Sequence, residues 1–238
     1  MAVVLWLLLA LPQGVYSEAL PKIEANYTSF MVDDELFTGG FHVSLSEIEE
    51  FIEDKGEECD GDLCLKDYED ADDGRSVAVI IHDSAREYAV NPYVILATLQ
   101  KETALVTSEG PEEWQYQTAM GYGCPDDADC EEDYFGFANQ IELGTALLRV
   151  SYDRACGDPI SRLQWWVHPR INRGYTIDID TEPTYLGNCA TASLYNYTPH
   201  RVDSAWEPYD GSYYYGNYNF VLIFHDWYPY AEPVESIE

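Results

Sequence analysis

The chain has 238 residues, 46% hydrophobic and 14% aromatic, enough apolar side-chain mass for one substantial core or at most two small ones. Forty-four acidic residues against twelve basic ones give a formal net charge of −32 spread along the chain, which repels nucleic acid and anionic membranes and excludes both as partners. Only four lysines (Lys22, Lys55, Lys66, Lys101) stand beside eight arginines, a balance that fits adaptation to high salt, where screening shortens to about 3 Å at 1 M.

The chain opens with an apolar run, Ala2 to Pro12, too short to span a bilayer but matching a secretory leader, with a small residue, Ser17, before Glu18. Residues 1–17 are therefore expected as a signal peptide and the protein as secreted. The run lacks a basic flank, so an uncleaved N-terminal anchor is the alternative. Residues 18–43 have mixed polarity and no period, and are expected as an extended lead-in to one main domain over 44–230. Residues 231–238 read as a tail.

Ser44 and Glu47 form a capping box for a helix from Leu45 to Lys55, closed by Gly56. The acidic, cysteine-bearing stretch Glu57 to Gly74 reads as a stapled surface loop. From Ser76 onward Val77, Ile80, Ile81, Ser84 and Tyr88 keep the three-four spacing of one buried helical face. Asn91 as cap and Pro92 at the first position open another helix, predicted to run to about Thr107 with Ile95, Leu99, Glu102 and Val106 on one face.

Gly110 to Asp133 reads as a long loop, and Phe137 to Tyr152 as a helix carrying Ile141, Leu147, Leu148 and Val150. Between Gln164 and Asp180 the period changes to two. A β-hairpin is expected there, Trp165 to Val167 pairing with Tyr175 to Asp180 around the turn Asn172-Arg173-Gly174. Ala190 to Asn196 and Tyr218 to Trp227 complete the helices, separated by a tyrosine-rich loop, Tyr209 to Tyr215. The class is α+β, mainly α, with a small β-hairpin and disulfide-stapled loops.

Six cysteines in an exported chain favour disulfides, and their spacing suggests Cys59 with Cys64 and Cys124 with Cys130, which leaves Cys156 for Cys189. Neither close pair has the spacing of a zinc knuckle. The five histidines, His42, His82, His168, His200 and His225, include no pair four apart. Neither metal nor cofactor is expected, and the chain is read as a monomer.

Glu102 interrupts an apolar stripe. A carboxyl on such a face is either paired, for instance with an arginine of a neighbouring helix, or keeps its proton, which is the state a general acid needs. Lysozyme chemistry is the precedent: a glutamate in an apolar pocket keeps its proton and delivers it to a glycosidic oxygen.

The segment Val90 to Thr103 resembles the catalytic helix of soluble lytic transglycosylases and goose-type lysozymes: a valine, a proline, an apolar helix, then the catalytic glutamate, with Thr103 where that family usually has serine. The chain is also similar to secreted bacterial haemagglutinin-like domains in the runs Gly121-Tyr122-Gly123-Cys124-Pro125 and Ala192-Ser193-Leu194-Tyr195-Asn196-Tyr197-Thr198-Pro199. This resemblance implies a lysozyme-like fold and Glu102 as the catalytic acid.

By the same resemblance, the family's glycine-leucine-methionine-glutamine segment corresponds to Gly136-Phe137-Ala138-Asn139-Gln140, one residue longer, so Gln140 is expected at the substrate groove. The alanine-tyrosine-asparagine motif corresponds to Leu194-Tyr195-Asn196, so Tyr195 is expected to meet Glu102 across it. The family often uses one essential carboxylate. Asp126, Asp127 and Glu109 sit in an acid-rich loop where a solvated charge is the default, and none is assigned as a second acid.

The sequons Asn26-Tyr27-Thr28 and Asn196-Tyr197-Thr198 occur often by chance, and a glycan at Asn196 would crowd the expected groove. Trp206 and Tyr213-Tyr214-Tyr215 are suited to stacking on sugar rings or to loop packing. The expected function is cleavage of a β-1,4-linked amino-sugar polymer such as peptidoglycan, by hydrolysis or lytic transglycosylation. The alternatives are a non-catalytic carbohydrate-binding or adhesion module on the same fold, or a structural envelope protein.

Overall fold

The computed structural model describes residues 27–39, 42–71, 74–125, 129–159, 171–201 and 216–228. The expected signal peptide, Trp165 to Val167, Asp126 and Asp127, the tyrosine-rich loop with Trp206, and the tail lie outside the described residues. The order is α1 (Asp34–Thr38), α2 (Leu45–Lys55), α3 (Val77–Tyr88), α4 (Pro92–Thr103), α5 (Glu113–Gln117), α6 (Phe137–Cys156), β1 (Thr176–Ile179), β2 (Glu182–Tyr185), α7 (Cys189–Tyr197) and α8 (Gly216–Trp227). Over the described residues the protein is mainly helical with one small antiparallel sheet.

Helix α4 is the centre. Every residue from Pro92 to Leu99 is buried, and α3 and α8 pack against it, so this helix has an apolar surface all round and not the single stripe expected of it. Asn91 starts it: its Oδ1 accepts from the Tyr93 amide at 2.9 Å, while its Nδ2 donates 2.9 Å to the Leu36 carbonyl. Its own backbone amide donates to the Phe37 carbonyl at 2.8 Å.

Those last two bonds tie the residues expected as an extended lead-in to the core. Met31, Val32 and Phe37 are fully buried, and Asp33 caps α1 by accepting from the Glu35 amide at 2.7 Å. The Met31 amide donates to Thr191 Oγ1 at 2.9 Å and Asn188 Nδ2 donates to the Val32 carbonyl at 2.8 Å, so this segment seals the start of α7. Those two partners lie 160 and 156 residues along the chain, which is why no local period revealed the segment.

Helix α4 stops at Thr103, four residues short of the expected end. Ala104 turns left-handed at φ 55°, and Leu105–Thr107 continue as a single 3₁₀ turn that carries Leu105 and Val106 back into the core. The Gln100 side chain holds that turn, accepting from the Thr107 amide at 3.2 Å and donating to Thr107 Oγ1 at 2.8 Å.

The capping box on α2 forms as read, with the Ser44 amide donating 2.7 Å to Glu47. Helix α6 runs one turn past its expected end, to a left-handed Gly157 at φ 99°, and packs on α3 and α7. The three disulfides join Cys59 to Cys64, Cys124 to Cys130 and Cys156 to Cys189, the last linking the end of α6 to the start of α7. A hairpin forms, but not the expected one around Asn172-Arg173-Gly174: β1 pairs with the downstream β2, Thr176 facing Tyr185 and Ile179 facing Glu182. Asp180 and Thr181 both take positive φ, 51° and 68°, the geometry of a two-residue turn that follows strand twist. Among the described residues no helix is long and apolar enough to cross a membrane.

Two consequences follow for stability. Replacing Asn91 with alanine removes the α4 cap and strands the partly buried Leu36 carbonyl, and is expected to cost on the order of 2 kcal/mol in denaturant unfolding. His225 donates from Nε2 to the Met31 carbonyl, 3.0 Å away, and burial pushes its imidazole below the ordinary 6.5 despite that bond. The unfolded chain therefore takes up the proton first, and stability is lost as pH falls from 6.5 toward the lowered value. Urea midpoints at about pH 7.5 and about pH 5 should differ less in His225→Gln than in the wild type.

Candidate functional site

The last turn of α4 places Lys101 and Glu102 where the buried helix reaches the surface. The Glu102 side chain is 25% exposed, whereas the Lys101 side chain is only 6% exposed. The Lys101 ammonium forms an ion pair with Glu102 Oε1 and donates to Thr198 Oγ1 at 2.6 Å. Thr198 Oγ1 in turn donates to Glu102 Oε1 at 3.3 Å. Thr198 follows the last residue of α7, so this trio joins the ends of two helices. The ion pair expected as the plain alternative is present, supplied by the neighbouring lysine and not by an arginine.

The other carboxylate oxygen, Oε2, faces Gly121. That glycine has φ +68°, and a Cβ there would lie 3.3 Å from Oε2. Gly121 lets the loop pass close to the acid in a conformation other residues rarely adopt.

Gln140 shapes this loop from behind. It is fully buried; its Oε1 accepts from the Met120 amide at 3.2 Å and the Tyr122 amide at 3.0 Å. Its Nε2 donates to the Tyr122 carbonyl at 2.8 Å and the Tyr134 carbonyl at 2.7 Å. Both lone pairs and both protons of the amide are used. The residue expected to face a substrate instead holds the backbone on either side of Gly121.

Tyr195 does not meet Glu102 either. It is fully buried, its hydroxyl has no hydrogen-bond partner among the described residues, and burial raises its phenol above the usual range. Tyr197 takes the place beside the acid: burial raises its phenol well above 10.0, and the Glu102 carboxylate pushes in the same direction. Its hydroxyl donates to the Met120 carbonyl at 2.6 Å, and the Lys101 ammonium lies 5.8 Å from its ring centre. Residues two apart on a helix point about 200° apart, so only one of these tyrosines can face α4. The sequence offers both tyrosines in one run, Tyr195-Asn196-Tyr197, and it is the packing of α7 that sets Tyr197 and Thr198 beside Glu102.

Other candidates fall elsewhere. Glu109 lines a hollow with Asp54, Lys55, Glu57 and Thr107, and Glu102 is not among its lining residues. Asp34 converges with Cys156 and Cys189, but both sulfurs are in a disulfide and the Asp34 carboxylate accepts from the Ala190 amide at 2.8 Å. Asn196 Nδ2, the sequon nitrogen, donates to Ser151 Oγ at 2.8 Å. His200 pairs with Asp180 at 2.8 Å on the exposed hairpin turn.

The fold and site define a disulfide-bonded, mainly helical α+β protein with a partly exposed glutamate at the end of its central helix. No family model matches the chain, and no curated protein or solved structure matches it either.

Replacing Gln140 with leucine leaves two amides and two carbonyls of the loop without their partner. It is expected to destabilise the protein by at least about 3 kcal/mol in denaturant unfolding, and to speed hydrogen exchange at Met120 and Tyr122. A change in glycan affinity with unchanged stability would instead place Gln140 at a binding surface.

Proposed function

We propose that this protein is a secreted, lysozyme-like enzyme that cleaves a β-1,4-linked amino-sugar polymer of the peptidoglycan type, with Glu102 as its single general acid. The observation that carries this role is the position of the Glu102 carboxylate: fixed at the end of a fully packed helix, yet 25% exposed, with Oε2 turned to the Gly121 loop. The resemblance of Val90 to Thr103 to a transglycosylase catalytic helix supports the same role.

In this mechanism Glu102 passes a proton from Oε2 to the glycosidic oxygen. The bond from that oxygen to the anomeric carbon breaks, and its electron pair leaves with the protonated oxygen. Water or a hydroxyl of the same sugar captures the resulting cation, directly or after the acetamido group has closed on it, and gives its proton to the Glu102 carboxylate, which restores the acid. Water gives hydrolysis, and an intramolecular hydroxyl gives an anhydro product one water lighter. A charge of −32 directs the protein toward neutral or cationic glycan surfaces and away from nucleic acid.

The Lys101 contact favours a second role, a carbohydrate-binding module on the same fold, because a carboxylate held by an ammonium can serve as a fixed hydrogen-bond acceptor for sugar hydroxyls. Turbidity and zymogram assays on peptidoglycan, in high and low salt, separate the two. Loss of cleavage by about a hundredfold or more is expected in Glu102→Gln. Equal cleavage by wild type and variant removes the acid role, and binding that survives the substitution without any cleavage supports the module.

A further inference from the structure

Lys101 is a costly residue to place where it is. An ammonium taken out of water loses its hydration, a large cost unless its hydrogen bonds are replaced. This chain has only four lysines among 44 acidic residues, and with so many surface carboxylates a solvated lysine never lacks a counter-ion. Lys101 nevertheless keeps a side chain 6% exposed and directs its charge to one oxygen of one glutamate. Adjacent residues of a helix project about 100° apart, so Lys101 must fold back along the end of α4 to reach Glu102.

Both donors act on the same oxygen. The Lys101 ammonium and the Thr198 hydroxyl converge on Glu102 Oε1, and they bond each other at 2.6 Å, which closes a three-membered set of contacts. Oε2 receives neither and lies against Gly121. The two oxygens of Glu102 are thereby made different: one is an anchored acceptor, the other is left for a reacting proton.

Resting on the glycan-cleaving role proposed above, the geometry points to Lys101 as a positioning residue for Glu102, held in place by Thr198. It locks the carboxyl so that Oε1 is held by the two donors and Oε2 stays turned to the Gly121 loop. Thr198 comes from the end of α7, so the acid is aligned by an element other than its own helix.

The test compares wild type, Lys101→Met and Thr198→Val on purified full chain in molar salt, each checked for native circular dichroism. Methionine keeps most of the lysine stem, and valine keeps the threonine shape. On soluble peptidoglycan fragments, kcat is expected to fall by about a hundredfold in Lys101→Met, with a smaller fall in Thr198→Val and KM unchanged in both. A lysine that merely clamps α4 to α7 would lower the melting temperature and leave kcat of the folded fraction alone, and that result overturns the inference.

Side-chain couplings of Glu102 by NMR read the positioning without any turnover. One rotamer is expected in the wild type and averaging over rotamers in Lys101→Met. A single rotamer in both overturns the inference whether or not the protein cleaves a glycan, while absence of cleavage in the wild type bears on the glycan-cleaving role alone.

Discussion

Burial of α4 on every side is the constraint from which the rest of the site follows. A helix covered by α3, α8 and the residues around α1 cannot rotate or slide without opening the core, so the two side chains at its end are held to fixed positions. That rigidity begins at Asn91, which has no exposed surface and satisfies both the helix start and the α1 segment. It ends at the Thr103 carbonyl, which accepts from Gln115 Nε2 at 2.8 Å and so binds α5 to the last turn. Glu102 lies between these two fixed ends.

The opposite wall is built the same way, from backbone held by side chains. Gln140 stands in α6 and grips the loop at Met120, Tyr122 and Tyr134, and Tyr197 adds a fifth bond by donating to the Met120 carbonyl. Helix α6 in turn is fixed to α7 by packing and by the Cys156–Cys189 disulfide. Closing that loop of 33 residues restricts the unfolded chain by about 4 kcal/mol in the chain-entropy account. Such covalent support suits a chain whose charge of −32 opposes compaction whenever salt is low.

Helices with a strong local signature were legible in the sequence. Ser44 with Glu47 marked the start of α2, Asn91-Pro92 marked the start of α4, and the cysteine spacings marked two disulfides and left Cys156 for Cys189. What escaped was fixed by distant contacts. Met31 and Val32 precede α1, and Phe37 lies in a helix of five residues, too few to display a period; their partners are at α7 and at the start of α4. The stop at Ala104 carries no glycine and is enforced by Leu105 and Val106 turning inward. For β1, the two-residue turn was missed because Asp180-Thr181 lacks the glycine that usually marks left-handed positions.

At the site, Glu102 was legible as an acid in an apolar helix, but its partner was not. Adjacent helical residues ordinarily face apart, so nothing in the pattern marks Lys101 as that partner. Gln140 and Tyr195 were placed by resemblance to a motif, and burial assigns one to holding the loop and the other to the core. The proposed acid role of Glu102 is tested most directly by a crystal structure of Glu102→Gln with a bound N-acetylglucosamine oligomer. A bridging glycosidic oxygen is predicted about 3 Å from the amide nitrogen at position 102 on the Gly121 side; an oligomer whose linkages all lie remote from that residue would contradict the role.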